Sequence, residues 1–126
     1  MRNLLIGVAL VSMQSAALYS PAAAGEADVV AVTVAREAPG SYRFDVTLRH
    51  ADAGWDHYAN AWEVVGPDGR VLGKRVLLHP HVDQQPFTRS LSGVVIPADV
   101  RRVTLRAHDS VHGYGGVELT VDLPLD

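Results

Sequence analysis

Six histidines and no cysteine set the chemistry open to this 126-residue chain. Four of the imidazoles come in close pairs. His79 and His81 flank a proline in the segment HPHV, and His108 and His112 bracket Asp109 in HDSVHGYGG. Neutral imidazole is the commonest side-chain metal ligand. Residues two apart on an extended segment point to one side, so His79 and His81 can share a centre. His108 and His112 can close on one ion across their loop, because Gly113, Gly115 and Gly116 permit the positive φ such a closure requires. Asp109 can add a carboxylate or hold an imidazole by its second nitrogen. The expected metal set is therefore His79, His81, His108 and His112. Asp109, His50 and His57 are expected as auxiliary or supporting groups; taken alone, His50 and His57 read as strand-end caps. The two methionines stand at positions 1 and 13, inside the leader described below, so a soft Cu(I) site is disfavoured. Cu2+ or Zn2+ held by nitrogen and oxygen fits the donors.

Other chemistries fit less well. His108, Asp109 and Ser110 are the residue types of a hydrolase triad. Three consecutive residues cannot readily reach the nucleophile–base–orienter geometry with one another. The glycines at 113, 115 and 116 lack the following helix that a phosphate loop needs. No catalytic set remains, and a non-enzymatic binding domain is expected. Trp55, Tyr58 and Tyr114 form a possible ligand face, since aromatic rings offer flat amphipathic surface to a protein or a glycan. In that second reading the histidines are structural or pH-responsive.

The elements that must position these groups are strands. Arg2, the apolar run from Leu4 to Leu18, Pro21 and the small residues Ala22 to Ala24 read as a secretory signal peptide, residues 1–24. The run is too short to span a bilayer. Cleavage after Ala24 exposes Gly25, which excludes an amino-terminal histidine brace. Residues 25–126 then form one domain with no expected membrane span, placed in the periplasm or secreted. Eleven basic against fourteen acidic residues, with no Lys/Arg cluster, argue against a nucleic-acid or anionic-membrane partner. The expected partners are a metal ion or an extracellular or periplasmic protein or glycan.

Period-two alternation broken by turn residues runs through 28–36, 41–50, 58–65, 70–78, 87–96, 101–107 and 117–123. Val30, Val32 and Val34 share one face; Tyr42, Phe44, Val46, Leu48 and His50 form an inward series, and Tyr58, Trp62 and Val64 share a register. Val103, Leu105 and Ala107 are expected inward, as are Val117, Leu119, Val121 and Leu123. Seven such strands and no helix predict an all-β, immunoglobulin/fibronectin III-like antiparallel sandwich. Antiparallel neighbours reverse at each connection, so alternate connections lie at opposite ends. The short turns at 38–40, 66–69 and 97–99 fall at one end. The other end receives the loops with His50 and His57, His79 and His81, and His108 and His112. All six histidines are expected there.

The segments GWDHYANAWEVV (54–65), LLHPHVDQQPFTRSL (77–91) and RAHDSVHGYGG (106–116) resemble a group of small exported bacterial β-sandwich proteins that is itself uncharacterised. The resemblance covers most of residues 25–126. It implies export and the sandwich fold, and it carries no activity, cofactor or catalytic residue. Periplasmic copper-carrier sandwiches are similar only in architecture.

Overall fold

A computed structural model describes residues 25–125; the expected signal peptide, residues 1–24, lies outside them. Seven strands follow in order: β1 (Asp28–Ala38), β2 (Ser41–Arg49), β3 (Ala59–Val65), β4 (Val71–Val76), β5 (Phe87–Val95), β6 (Arg102–Asp109) and β7 (Leu119–Asp122), with no helix among the described residues. They build two antiparallel sheets. One has the order β1-β2-β5 and the other β4-β3-β6-β7.

The alternation explains the layering. Successive strand side chains point to opposite faces. β2 therefore buries Phe44, Val46 and Leu48, and β6 buries Val103, Leu105 and Ala107, while their neighbours in sequence stay nearer solvent. These series from the two sheets meet Trp62 and Val64 of β3 and Phe87 and Val94 of β5 in one core. Fully burying one such side chain stabilises the fold by roughly 1.5–3 kcal/mol, and the core is the main source of stability in a chain without disulfides. The β3–β4 hairpin turns at Gly69, whose φ of +86° is the left-handed region that favours glycine.

Three expectations of side-chain direction are corrected by bulges and edges. Val30 was expected to share a face with Val32 and Val34; the register shifts between Val29 and Ala31, so Val29 is buried, Val30 is exposed and Val32 and Val34 are half-buried. Tyr58 was expected in register with Trp62, but an irregularity between Ala59 and Ala61 puts Ala59 into the core and leaves Tyr58 half-buried. Val117 was expected inward on the last strand. It lies before β7, and it is exposed, its carbonyl accepting a hydrogen bond from Val29 N at 2.9 Å.

The end-to-end alternation of connections brings the histidine loops together. Loop 50–58 is tied to loop 110–118 by Ser110 N donating to Tyr58 O (2.9 Å) and Tyr58 N donating to Ser110 Oγ (3.0 Å). It is tied to loop 77–86 by His81 N donating to Asp52 (2.7 Å) and His50 N donating to Gln85 Oε1 (3.0 Å).

Candidate metal centre

Two inward-facing series end at one point. The residue that continues Phe44, Val46 and Leu48, just past β2, is His50; the residue that continues Val103, Leu105 and Ala107 is Asp109, the last of β6. Both side chains are fully buried. The apolar core thus terminates in an imidazole and a carboxylate, and His57 from loop 50–58 folds over them. His50 Nε2 lies 3.3 Å from His57 Nε2 and 3.3 Å from Asp109 Oδ2. His57 Nε2 is 3.5 Å from the same oxygen, and His112 Nδ1 is 3.1 Å from it. The donor atoms of His50, His57 and Asp109 all lie within 4.8 Å of one another.

These spacings suit one ion. Nitrogen and oxygen ligands about 2.0–2.1 Å from a tetrahedral ion are separated from each other by roughly 3.3 Å. The contacts of 3.3–3.5 Å among His50, His57 and Asp109 lie close to that value. Side-chain exposure is 22% for His57 and 38% for His112, so the cluster opens to solvent on their side.

Local chain chemistry aims Asp109, His112 and His50. Asp109 Oδ1 accepts the backbone N–H groups of Val111 (2.7 Å) and His112 (2.5 Å), an Asx turn that leaves Oδ2 free to face the imidazoles. Asp109 and Gly113 exchange two backbone hydrogen bonds of 3.0 Å, and the φ of +75° at Gly113 closes the loop that returns His112 to Asp109. On the other side, His50 Nδ1 and Asp52 Oδ1 are 2.6 Å apart. With Nδ1–H donating to the carboxylate, the Nε2 lone pair is the one presented to the cluster, the usual arrangement behind a metal-bound histidine. Asp52 also accepts from Ala59 N (3.0 Å) and His81 N (2.7 Å).

The electrostatics favour positive charge at this point. Burial opposes a charged His50 ring. Its bond to Asp52, the charges of Asp52 and Asp109 and the Gly25 carbonyl outweigh that, and its pKa is raised above 6.5. Burial pushes Asp52 up, but the bonds from His50, His81 N and Ala59 N hold its pKa below 3.8. Asp109 behaves alike: burial is overcome by the N–H groups of His112 and Val111, the His112 ring and the His50 charge.

The residues brought together differ from the expected set of His79, His81, His108 and His112. His112 stays at the site, and His50, His57 and Asp109 take the central places. His108 is directed elsewhere by strand parity: next to an inward Asp109, it points to the opposite face of its sheet. There its Nδ1 lies 2.6 Å from Asn60 Oδ1 and its ring packs edge-on to Tyr114 at 4.8 Å. His79 and His81 do pair, with ring centroids 4.6 Å apart. However, His81 stacks flat on Phe87 at 3.9 Å, and Arg89 Nη2 donates to its Nε2 at 2.8 Å. A guanidinium on that nitrogen occupies the lone pair a metal would need and repels a cation. The aromatic face also divides. Trp55 and Tyr58 pack on each other at 5.5 Å, whereas Tyr114 lies under Arg106, 4.1 Å from its ring, beside His108. Asp52 was not expected as part of the site; its place two residues beyond His50 was the available signal.

No family model matches the sequence. The chain is 44% identical over 97 residues to a protein of Halomicrobium mukohataei named "Putative lipoprotein"; the match covers 77% of this chain and 47% of that protein, so the chain spans about half the length of the relative. Among solved structures, a hypothetical protein of Pyrococcus horikoshii OT3 superposes with a TM-score of 0.51 at 13% identity, over 79% of this chain and 89% of that one. That likeness is one of fold.

Proposed function

We propose that the protein is a non-enzymatic binding domain that holds one divalent transition-metal ion, Cu2+ or Zn2+, through His50, His57 and Asp109, with His112 as the fourth donor. The observation that carries this is the convergence of three imidazole nitrogens on Asp109 Oδ2 at 3.1–3.5 Å. The donors are nitrogen and oxygen, which suits borderline divalent ions. The charge also balances: a divalent ion would meet the carboxylates of Asp109 and, one shell out, Asp52, as a buried cation requires. The strand order β1-β2-β5 and β4-β3-β6-β7 supports an immunoglobulin/fibronectin III-like assignment. The name of the Halomicrobium relative supports export to the periplasm or beyond. Among the described residues no helix is long and apolar enough to cross a membrane.

Calorimetric titration with Cu2+ and Zn2+ tests the reading, with an anaerobic Fe2+ arm because two imidazoles and one carboxylate can also hold that ion. Binding is expected to be lost in His50→Ala and His57→Ala and kept in His79→Ala and His81→Ala. Millimolar binding, or binding that follows His79 and His81, overturns it.

One observation favours a second reading. Trp55 is 67% exposed and is braced edge-on by Tyr58, a flat apolar surface on loop 50–58. Such a surface suits a glycan or protein partner. Glycan-array binding that disappears in Trp55→Ala supports this reading; an array without signal removes its glycan arm.

A further inference from the structure

The glycine pair at 115 and 116 is not needed to close the loop that returns His112, since Gly113 does that. Its role lies on the other side of the chain. A Cβ at residue 116 would stand 2.0 Å from the carbonyl oxygen of Ala27, and one at residue 115 would stand 3.2 Å from Glu26 Cγ. The two glycines therefore make room for segment 25–29 to lie against segment 115–117. Asp28 Oδ1 accepts from Val117 N at 2.8 Å and Val29 N donates to Val117 O at 2.9 Å, which fixes the segment in place. Ala27 and Val29 are buried in the core beneath it. The outcome is that the Gly25 carbonyl oxygen stands 3.3 Å from His50 Nε2, the same distance that separates this nitrogen from His57 Nε2 and Asp109 Oδ2.

Resting on the metal reading above, we propose that the main-chain carbonyl of Gly25 is a further ligand of that ion. It adds an oxygen donor without adding charge, so the balance between a divalent ion and the two aspartates is kept. With His50, His57, His112 and Asp109 it makes a set of three nitrogens and two oxygens. Five donors exceed the four of a closed tetrahedral zinc site and fit the tetragonal coordination of Cu2+. Segment 25–29 is then part of the centre, and the glycine pair is what admits it.

The test uses the full chain grown with carbonyl-13C glycine, loaded with Cu2+ and studied by pulsed electron paramagnetic resonance. Imidazole nitrogen couplings together with a resolved 13C coupling are expected. In Gly25→Ala grown in the same medium, the 13C coupling is expected to vanish while the imidazole nitrogen couplings persist, because the carbonyl remains and only its label is gone. Imidazole couplings with no 13C coupling, or with one that persists in Gly25→Ala, overturn the proposal and leave the metal reading standing. Absence of His50-dependent nitrogen couplings overturns both.

Discussion

Replacing Asp52 with asparagine keeps the side-chain shape and removes the charge that holds His50. The carboxylate accepts three hydrogen bonds, from His50 Nδ1 (2.6 Å), Ala59 N (3.0 Å) and His81 N (2.7 Å), and its side chain is fully buried. An amide has one accepting oxygen. If that oxygen keeps His50 and Ala59, the amide nitrogen faces the His81 N–H and leaves it without an acceptor, at a cost of about 2 kcal/mol; losing the charge on the His50 bond adds about 1 kcal/mol. A total near 3 kcal/mol lowers Tm by roughly 12–24 °C in a domain of this size. The pH dependence changes as well. His50 has a folded pKa raised above 6.5, so its contribution to stability is fully present below 6.5 and is lost as pH rises through the folded value. Asp52 has a folded pKa below 3.8, so its contribution is present above 3.8 and is lost as pH falls through the folded value. Metal-free wild-type protein should lose stability as pH rises above 6.5, and Asp52→Asn should flatten that loss, since the hydrogen bond and charge that raise His50 are gone. Metal affinity should fall about 10–100-fold through misdirection of the His50 ring. Thermal melts across the pH range, with Cu2+ titration of both proteins, give all three readouts. A variant with wild-type Tm, the same alkaline slope and the same affinity refutes the assigned role of Asp52.

Gly116→Ala should cost about 1–3 kcal/mol by forcing the segment at Ala27 outward, readable as a lowered denaturation midpoint. Burial, and then the charges of Arg89 and His79, hold the His81 pKa below 6.5, so the neutral ring's contribution is present above 6.5 and declines as pH falls through that value. His81→Phe, which keeps the stack on Phe87, should therefore show a smaller loss of Tm between about pH 7 and pH 5 than wild type. Trp55→Ala should leave stability within about 0.5 kcal/mol of wild type, because its side chain is largely in solvent.

Much of the fold was legible because period two is a direct print of a half-buried sheet. The alternation of Phe44, Val46 and Leu48 and of Val103, Leu105 and Ala107 located two strands and their inward faces. The reversal of antiparallel strands placed the histidine loops at one end. The centre itself was less legible. His108 and His112 look equivalent in the motif, yet extending the inward series of β6 by one step selects Asp109 and turns His108 away. The same step past β2 selects His50. The surroundings of His81 were not legible, because Phe87 and Arg89, which stack on it and bond it, come from the next strand and a spacing rule cannot see them. Val30 and Tyr58 were misplaced by irregularities in pairing at Val29/Ala31 and Ala59/Ala61, which shift the face of a residue without changing the pattern of types. The approach of Gly25 to His50 was beyond reach, since it depends on how closely two distant glycines let the chain approach.

Anomalous diffraction from crystals of Cu2+- or Zn2+-loaded protein tests the central claim most directly. The expected result is one metal peak about 2.0–2.2 Å from His50 Nε2, His57 Nε2 and Asp109 Oδ2, with His112 Nδ1 turned toward it. A peak between His79 and His81, or no peak at the His50–His57–Asp109 cluster under saturating metal, contradicts it.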